Sequence, residues 1–356
     1  MAIDPDFWRG RRVLVTGNKG FKGAWLTLWL GALGAEVAGL SRPAAGAALY
    51  ERIGAGAGVS EHEVDVRDRA GVAGAFAGAR PEVVLHLAGQ SLVHRSLRDP
   101  VGTYEVNVTG TVNVLEAVRA GLAPVRAVVV VTSERCYENI PGRTRPFSER
   151  DPLGGSDPYS SSKACAELVA SAYRRSFGPL GGAGRLATAR PGNVIGGGDR
   201  GDGRLMGDAL RAVEELRPLR VRDVDAVRPW QHVLNPLAGY LLLAQELWRS
   251  ERAERAWNFG PPPGGLRPAG WIAARLAELW EGELEWLPGG SPRPPEDPRP
   301  PLDSSAAESQ LGWRPPWGLA EALERTVEWH RRERAGEDMR RRSLEQIEAF
   351  AAALDV

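Results

Sequence analysis

Short apolar runs alternate with longer amphipathic stretches along the first 190 residues. Val13–Thr16, Glu36–Leu40, Val83–Ala88, Ala127–Ser133 and Leu186–Arg190 are short, rich in Val and Leu, and bounded by turn residues, as strands buried on both faces are. Between them, Phe21–Leu33, Arg69–Phe76, Val101–Arg119 and Pro158–Ser176 repeat apolar positions at helical spacing. Strands alternating with helices predict βαβ units and an α/β fold, a Rossmann-type doubly wound parallel sheet. Beyond Arg190 the rhythm changes. Asn193–Gly203 is Gly-rich, Ser291–Pro301 reads as a stiff Pro-rich loop, and helical patterns return at Gly318–Arg332 and Asp338–Ala353. We expect a first domain over residues 1–190 with a return segment near 231–260. A smaller mixed α/β lobe from 191–230 and 261–356 is expected at the carboxyl edge of the sheet, its charged last helix a solvated face.

Composition narrows the function. The 356 residues carry 45 Lys+Arg against 45 Asp+Glu, a formal net charge of zero, which argues against a general binder of nucleic acid or anionic membrane. Lys19, Lys22 and Lys163 are the only lysines among these basic residues. Cys136 and Cys165 cannot staple a chain of this size and are not spaced as zinc ligands, so no metal is expected. The longest apolar stretches, about ten residues, are too short to span a bilayer. The segment MAIDPDFWRGRRVLVTG has no long apolar run after its charges, so a reduced, cytoplasmic protein is the expectation.

The strongest local signal is VLVTGNKGFKG. A strand runs into Gly17-x-x-Gly20-x-x-Gly23 and a helix follows. The first glycine permits a tight turn, the second lets backbone approach a pyrophosphate, and the third lets helix and strand pack closely. The helix start adds free N–H groups and positive dipole, so this is read as a dinucleotide site. NAD enzymes usually end the second strand on Asp or Glu for the ribose hydroxyls. Here Ser41-Arg42 stand there, and Arg42, aided by Lys19, can instead meet a 2′-phosphate, which leaves NAD and NADP both open. Asp65 and Val66, after the next strand, fit the adenine contact.

The second signal is Asp157-Pro158-Tyr159-Ser160-Ser161-Ser162-Lys163, where Asp157 can cap a helix and Pro158 suits its first position. Tyr159 and Lys163, four apart, project from one face, and an ammonium beside a phenol favours phenolate. Ser133, at the carboxyl end of the strand Ala127–Ser133, can hydrogen-bond the hydroxyl that Tyr159 deprotonates. Glu134, next to this triad, is a candidate acid or base. His86 lies on a buried strand and reads as a satisfied core histidine, and most of the tryptophans read as core.

With these residues assembled, the sequence resembles the nucleotide-sugar-modifying branch of the extended short-chain dehydrogenases/reductases, and within it the 4,6-dehydratases of CDP-glucose. The likeness runs from Phe7 to about Phe350 through VLVTGNKGFKGAWL, HLAGQSLVHRS, VTSERCYEN, GGSDPYSSSK, RPGNVIGGGD and VRPWQHV. It implies that Tyr159 takes the 4-hydroxyl proton while C4 gives hydride to nicotinamide. The C5 proton and the C6 hydroxyl then leave as water, and hydride returns to C6 to give a 4-keto-6-deoxy sugar. It also implies that Phe21, Leu87, Ala88, Gly89 and Asn107 meet the cofactor, and that Gln90, Asn193, Arg204, Arg228, Trp230 and His232 meet the nucleotide sugar. RPWQHV is alternatively a strand returning to the core. A homodimer through Val101–Arg119 and Pro158–Ser176 is implied as well.

Two departures bear on the chemistry. The family's Asp-Lys after the serine is here Glu134-Arg135. Glutamate keeps a carboxyl on a longer arm, but a guanidinium stays charged and is a poor base. Either Glu134 serves both elimination steps with Arg135 orienting substrate, or C4 oxidation survives without dehydration. Arg200 and Gly203 also stand where the family has Trp and Asp. The alternatives are a nucleotide-sugar 4-epimerase on the same scaffold, and a non-catalytic dinucleotide binder, which has no need of the Tyr159 phenol.

Overall fold

The computed structural model describes residues 2–43, 48–140, 142–201, 203–289 and 300–354. The expected Pro-rich loop Ser291–Pro301 lies, apart from its last two residues, outside them. In chain order the strands are β1 (Arg12–Thr16), β2 (Glu36–Ser41), β3 (Ser60–Glu63), β4 (Val83–His86), β5 (Ala127–Val131) and β6 (Arg185–Pro191). They continue with β7 (Asn193–Ile195), β8 (Leu219–Val221), β9 (Val227–His232), β10 (Ala256–Phe259), β11 (Leu266–Pro268) and β12 (Trp286–Pro288).

Seven strands make one sheet in the order β10-β6-β5-β4-β1-β2-β3, and every pairing in it is parallel. The order reverses between β1 and β4, so the connections leaving their carboxyl ends diverge and open a crevice, where ligands bind in such sheets. Thr16 pairs with both Leu40 and His86, which brings the ends of β1, β2 and β4 level. All five expected strands form. β3, which the apolar pattern did not reveal, is the edge strand Ser60-Glu61-His62-Glu63, and an edge has no need of two buried faces.

Helices cover both faces. On one, Phe21–Ala32, Leu234–Arg249 and Met339–Leu354 bury Trp25, Trp29, Leu237, Leu241, Ile347 and Phe350. On the other, Arg69–Ala79, Gly110–Arg119 and Pro158–Phe177 bury Val72, Phe76, Val114, Val118 and Ala170. Seven tryptophans are among the largest fully buried side chains, in keeping with their reading as core. The last helix is amphipathic: its apolar face lies in the first of these cores, while Arg341 and Arg342 pair with Glu345 and Glu337.

A third core, with Met206, Leu210, Trp230, Ile272, Trp280 and Leu323, stands beside the sheet. It is enclosed by the three-stranded sheet β11-β9-β7, the β12-β8 pair and the helices Leu205–Glu214, Ala269–Leu279 and Leu319–Arg334. The predicted helix Val101–Arg119 is a continuous run with a π turn at Glu105–Thr109, where the Gly110 N–H reaches back to the Glu105 carbonyl. Such a turn inserts one residue, and here it carries Asn107.

Candidate active site

The glycine turn has the geometry its spacing predicts. Gly17 has φ 72°, and a Cβ there would lie 2.8 Å from Ala88 backbone. A Cβ on Gly23 would fall 2.1 Å from the Gly17 carbonyl oxygen, so only glycine lets the helix start this close to the turn. Gly20 caps the helix Phe21–Ala32 and no side chain takes up its first N–H groups. Two buried acceptors nearby, Asn18 Oδ1 and Ser41 Oγ, have no partner among the described residues. Uncapped donors, a cradle without Cβ atoms and unpaired polar atoms fit a dinucleotide.

The ribose end differs from the sequence-level picture. No carboxylate ends β2, but the neighbouring β3 supplies Glu61 and Glu63. Lys19 pairs with both, at 3.7 and 3.4 Å, and Tyr50 and Asn18 also bond Glu61. Lys19 is therefore engaged by carboxylates and is not held ready for a 2′-phosphate. Asp65 is fixed by Arg67 at 2.9 Å, and this bond, with Arg42 in electrostatic reach, holds its carboxyl below the usual range. Val66 is buried, and its carbonyl accepts from Asn113.

From the turn a cavity of about 370 Å³ runs past Leu87 and Gly89 to Ser133, Arg135, Tyr159 and Lys163. Its far wall is Gly192, Asn193, Asp199, Arg204, Arg228 and Trp230. Asp157 caps the helix Pro158–Phe177 through the Ser160 N–H at 2.9 Å, which fixes Tyr159 and Lys163 on the side facing the sheet ends. The Tyr159 phenol is hydrogen-bonded to Ser133. Burial pushes it above the usual tyrosine range, while the Ser133 bond and the cations Arg135 and Arg204 pull it back. Lys163 Nζ donates to the Val131 carbonyl at 3.3 Å, and burial lowers its ammonium to about 8. Gly89 leaves room for it, since a Cβ there would come 3.2 Å from Nζ.

Asn107, presented by the π turn, clamps the two halves of this wall. Its amide donates to the Gln90 carbonyl at 3.0 Å and to Ser162 Oγ at 2.8 Å, and its oxygen accepts from the Gln90 N–H at 2.8 Å. Beneath the wall, Glu167 and Arg190 form a buried ion pair at 2.7 Å that the sequence reading missed. No local motif marks it, because the partners meet only when β6 packs on the helix.

Several expected site residues stand elsewhere. Gln90 lies off the cavity wall and spends its side-chain amide on Leu92 and Thr103. His232 is fully buried between Trp25 and Trp317, and burial keeps it neutral with a pKa of about 3, so it belongs to the core rather than to a base pocket. His86 is the satisfied core histidine expected, bonded to Thr16 and Thr111. Arg200 turns away to Glu214 and Glu333. Glu134 is buried behind the wall, with Oε2 3.2 Å from where a Gly192 Cβ would sit. Arg135 faces the cavity, 4.0 Å from Asp157. Arg204 is held by Asp199 at 3.1 Å and by Ser91 at 3.1 Å, and Trp230 donates to the Arg267 carbonyl. Lys22, which the sequence reading did not assign, also lines the cavity. Its signal was its rarity in a chain that writes nearly every cation as arginine.

Residues 13–260 match the NAD dependent epimerase/dehydratase family. The chain is 43% identical to the CDP-glucose 4,6-dehydratase of Salmonella typhimurium, covering 99% of each protein. Among solved structures, the dTDP-glucose 4,6-dehydratase of Streptomyces venezuelae, with NAD bound, is similar with a TM-score of 0.77 and 27% identity. That likeness covers 91% of this chain and 98% of the other. The UDP-glucose 4-epimerase of Thermus thermophilus, in complex with NAD, is similar with a TM-score of 0.74 and 31% identity over 89% of this chain and 98% of that one. The glycine turn, the parallel sheet and these full-length likenesses agree: the chain belongs to the NAD dependent epimerase/dehydratase family.

Proposed function

We propose that the protein is a nucleotide-sugar 4,6-dehydratase, a lyase that converts CDP-glucose to its 4-keto-6-deoxy derivative with NAD as resident cofactor. The observation that carries this reading is one cavity lined by the dinucleotide turn, the Ser133/Tyr159/Lys163 set and the arginines of the second lobe. The full-length likeness to a CDP-glucose 4,6-dehydratase supports the choice of sugar nucleotide. Glu61 and Glu63 favour NAD, since a 2′-phosphate would meet two carboxylates already sharing Lys19. Bound NAD would supply the acceptor that takes hydride from C4 and the donor that returns it to C6.

Within the protein, Tyr159 takes the proton from the 4-hydroxyl while Ser133 bonds the same oxygen. Burial holds the resting phenol above its usual range, and the Ser133 bond with the cations Arg135 and Arg204 favours the phenolate that accepts the proton. Lys163 and Asn107 fix the wall on the cofactor side, and Arg204 and Arg228 offer donors to the sugar nucleotide's pyrophosphate. Arg135, tethered toward Asp157, orients the sugar and lends positive charge to the developing C4 oxyanion.

In this account residues 1–190 with 231–260 carry the cofactor, and 191–230 with 261–356 shape the sugar-nucleotide lobe, the last helix packing back on the sheet. A homodimer in the cytoplasm completes the reading. It is supported by exposed Leu97, Val101, Leu168 and Phe177 on adjoining helices, by two free cysteines, and by the absence of a membrane-spanning helix among the described residues. The second reading, a 4-epimerase, is favoured by one feature: Arg135 on the wall beside Glu134 is a fixed cation and no base. Incubation with CDP-glucose and with UDP-, GDP- and dTDP-glucose, read by product mass and by the alkali-induced absorbance of 4-keto sugars, separates the two. Loss of one water from CDP-glucose is expected. Unchanged mass with an inverted C4 supports the epimerase, and no turnover of any sugar overturns both.

A further inference from the structure

Lys22 has no part in the set formed by Ser133, Tyr159 and Lys163, yet it lines the same cavity. It is the second residue of the helix Phe21–Ala32, so the glycine turn fixes its backbone while its half-buried side chain borders the cavity. Among the described residues its ammonium has no hydrogen bond or ion pair. The charges in reach come from three other elements: Lys163 on Pro158–Phe177, Glu134 in the turn after β5, and Asp199 and Arg204 ahead of Leu205–Glu214. Burial, then Arg204 and Lys163, outweigh the two carboxylates and bring the ammonium down to about 7. A neutral amine is therefore well populated near neutral pH.

Loss of water across C5 and C6 needs one group to remove the C5 proton and another to protonate the departing hydroxyl. Arg135 keeps its proton at any working pH, and Glu134, behind Gly192, would otherwise have to serve both steps. Resting on the dehydratase reading, we propose that Lys22 is the base that takes the C5 proton from the 4-keto intermediate and later returns it.

The steps balance. The Lys22 amine takes the C5 proton, and the electron pair becomes the C5=C6 double bond as the C6–O bond breaks. The Glu134 carboxyl supplies the proton with which the hydroxyl departs as water. As hydride arrives at C6, the Lys22 ammonium gives its proton back to C5, so the hydride lost in oxidising C4 is the one that reduces C6. Tyr159 holds the 4-hydroxyl proton, which restores the Glu134 carboxyl.

With only three lysines in the chain, the amine can be watched directly. In enzyme carrying NAD and labelled with 15N-lysine, one Nζ resonance should titrate near neutrality and be missing from Lys22→Arg. In heavy water with CDP-glucose, Lys22→Gln and Lys22→Arg should both form reduced cofactor and the 4-keto sugar, with water loss and C5 deuteration slowed at least about a hundredfold. Arginine preserves a cation but not a base, so recovery of water loss in Lys22→Arg would overturn the proposal. A Lys22 resonance titrating in the ordinary lysine range would overturn it too, even if the variants fail to fold. Failure of the unaltered enzyme to release water would instead overturn the dehydratase reading itself.

Discussion

Removing the charge of Glu167 should cost about 3–5 kcal/mol of stability while leaving the shape of the core intact. Glu167 and Arg190 are both buried, 1% and 4% exposed, and 2.7 Å apart. The carboxylate accepts from Thr132 at 2.6 Å, Thr188 at 2.8 Å and Arg190, so Glu167→Gln keeps the volume and most of the bonds but strands the guanidinium. Among the described residues Arg190 then has neutral partners alone: the glutamine oxygen, Tyr137 at 2.8 Å with its ring, and the Glu149 carbonyl at 3.3 Å. For a chain of this length the loss corresponds to a fall in Tm of roughly 4–7 °C, measured by calorimetry on cofactor-free protein. Replacing both partners with apolar residues, Glu167→Leu with Arg190→Met, should recover most of it, because a stranded charge rather than a missing attraction sets the cost. The pH dependence has a definite sign. Burial pushes the Glu167 carboxyl up, but Arg190 and the threonine bonds more than offset this and leave it lowered. Its stabilisation is therefore present above the unfolded carboxyl's range, near 4.3, and is lost as pH falls toward the lower folded value. A single variant within about 1 kcal/mol of the parent, or a double variant as damaged as the single, would refute this reasoning.

Other outcomes follow from the same contacts. Gly23→Ala drives a Cβ into the Gly17 carbonyl and should weaken NAD binding at least about a hundredfold by titration calorimetry; near-native affinity would show the turn does not hold the pyrophosphate. Tyr159→Phe removes the base and should slow hydride transfer by about a hundredfold or more with NAD still bound, as seen in single-turnover reduction of the cofactor. The parent's C4-oxidation rate should rise with pH on the alkaline side as the raised phenol gives up its proton, and a pH-independent rate would count against Tyr159 as base. Leu168→Glu with Phe177→Glu places charge on the exposed apolar helix face and should give monomers in analytical ultracentrifugation.

Where burial on two faces demands apolar runs, the chain announces its structure. β1, β4 and β5 are legible because each is buried along most or all of its length, and the glycine turn because its close approaches admit no Cβ. Edge and junction features are not legible in that way. β3 is polar because it has one neighbour, and its Glu61 supplies the carboxylate that the end of β2 lacks. His232 follows the alternative reading of RPWQHV as a strand returning to the core: it ends β9 and is folded between two tryptophans. Lys163 falls at the cavity as its spacing to Tyr159 requires, but the cations that pull back the phenol are Arg135 and Arg204, which arrive from distant parts of the chain.

In the proposed reaction the hydride removed from C4 returns to C6 after water has left. CDP-glucose carrying deuterium at C4 tests it most directly, with the product examined by NMR. A 4-keto-6-deoxy sugar with deuterium in its C6 methyl group is expected. Deuterium back at C4 of an inverted sugar, with the C6 hydroxyl intact, would contradict it.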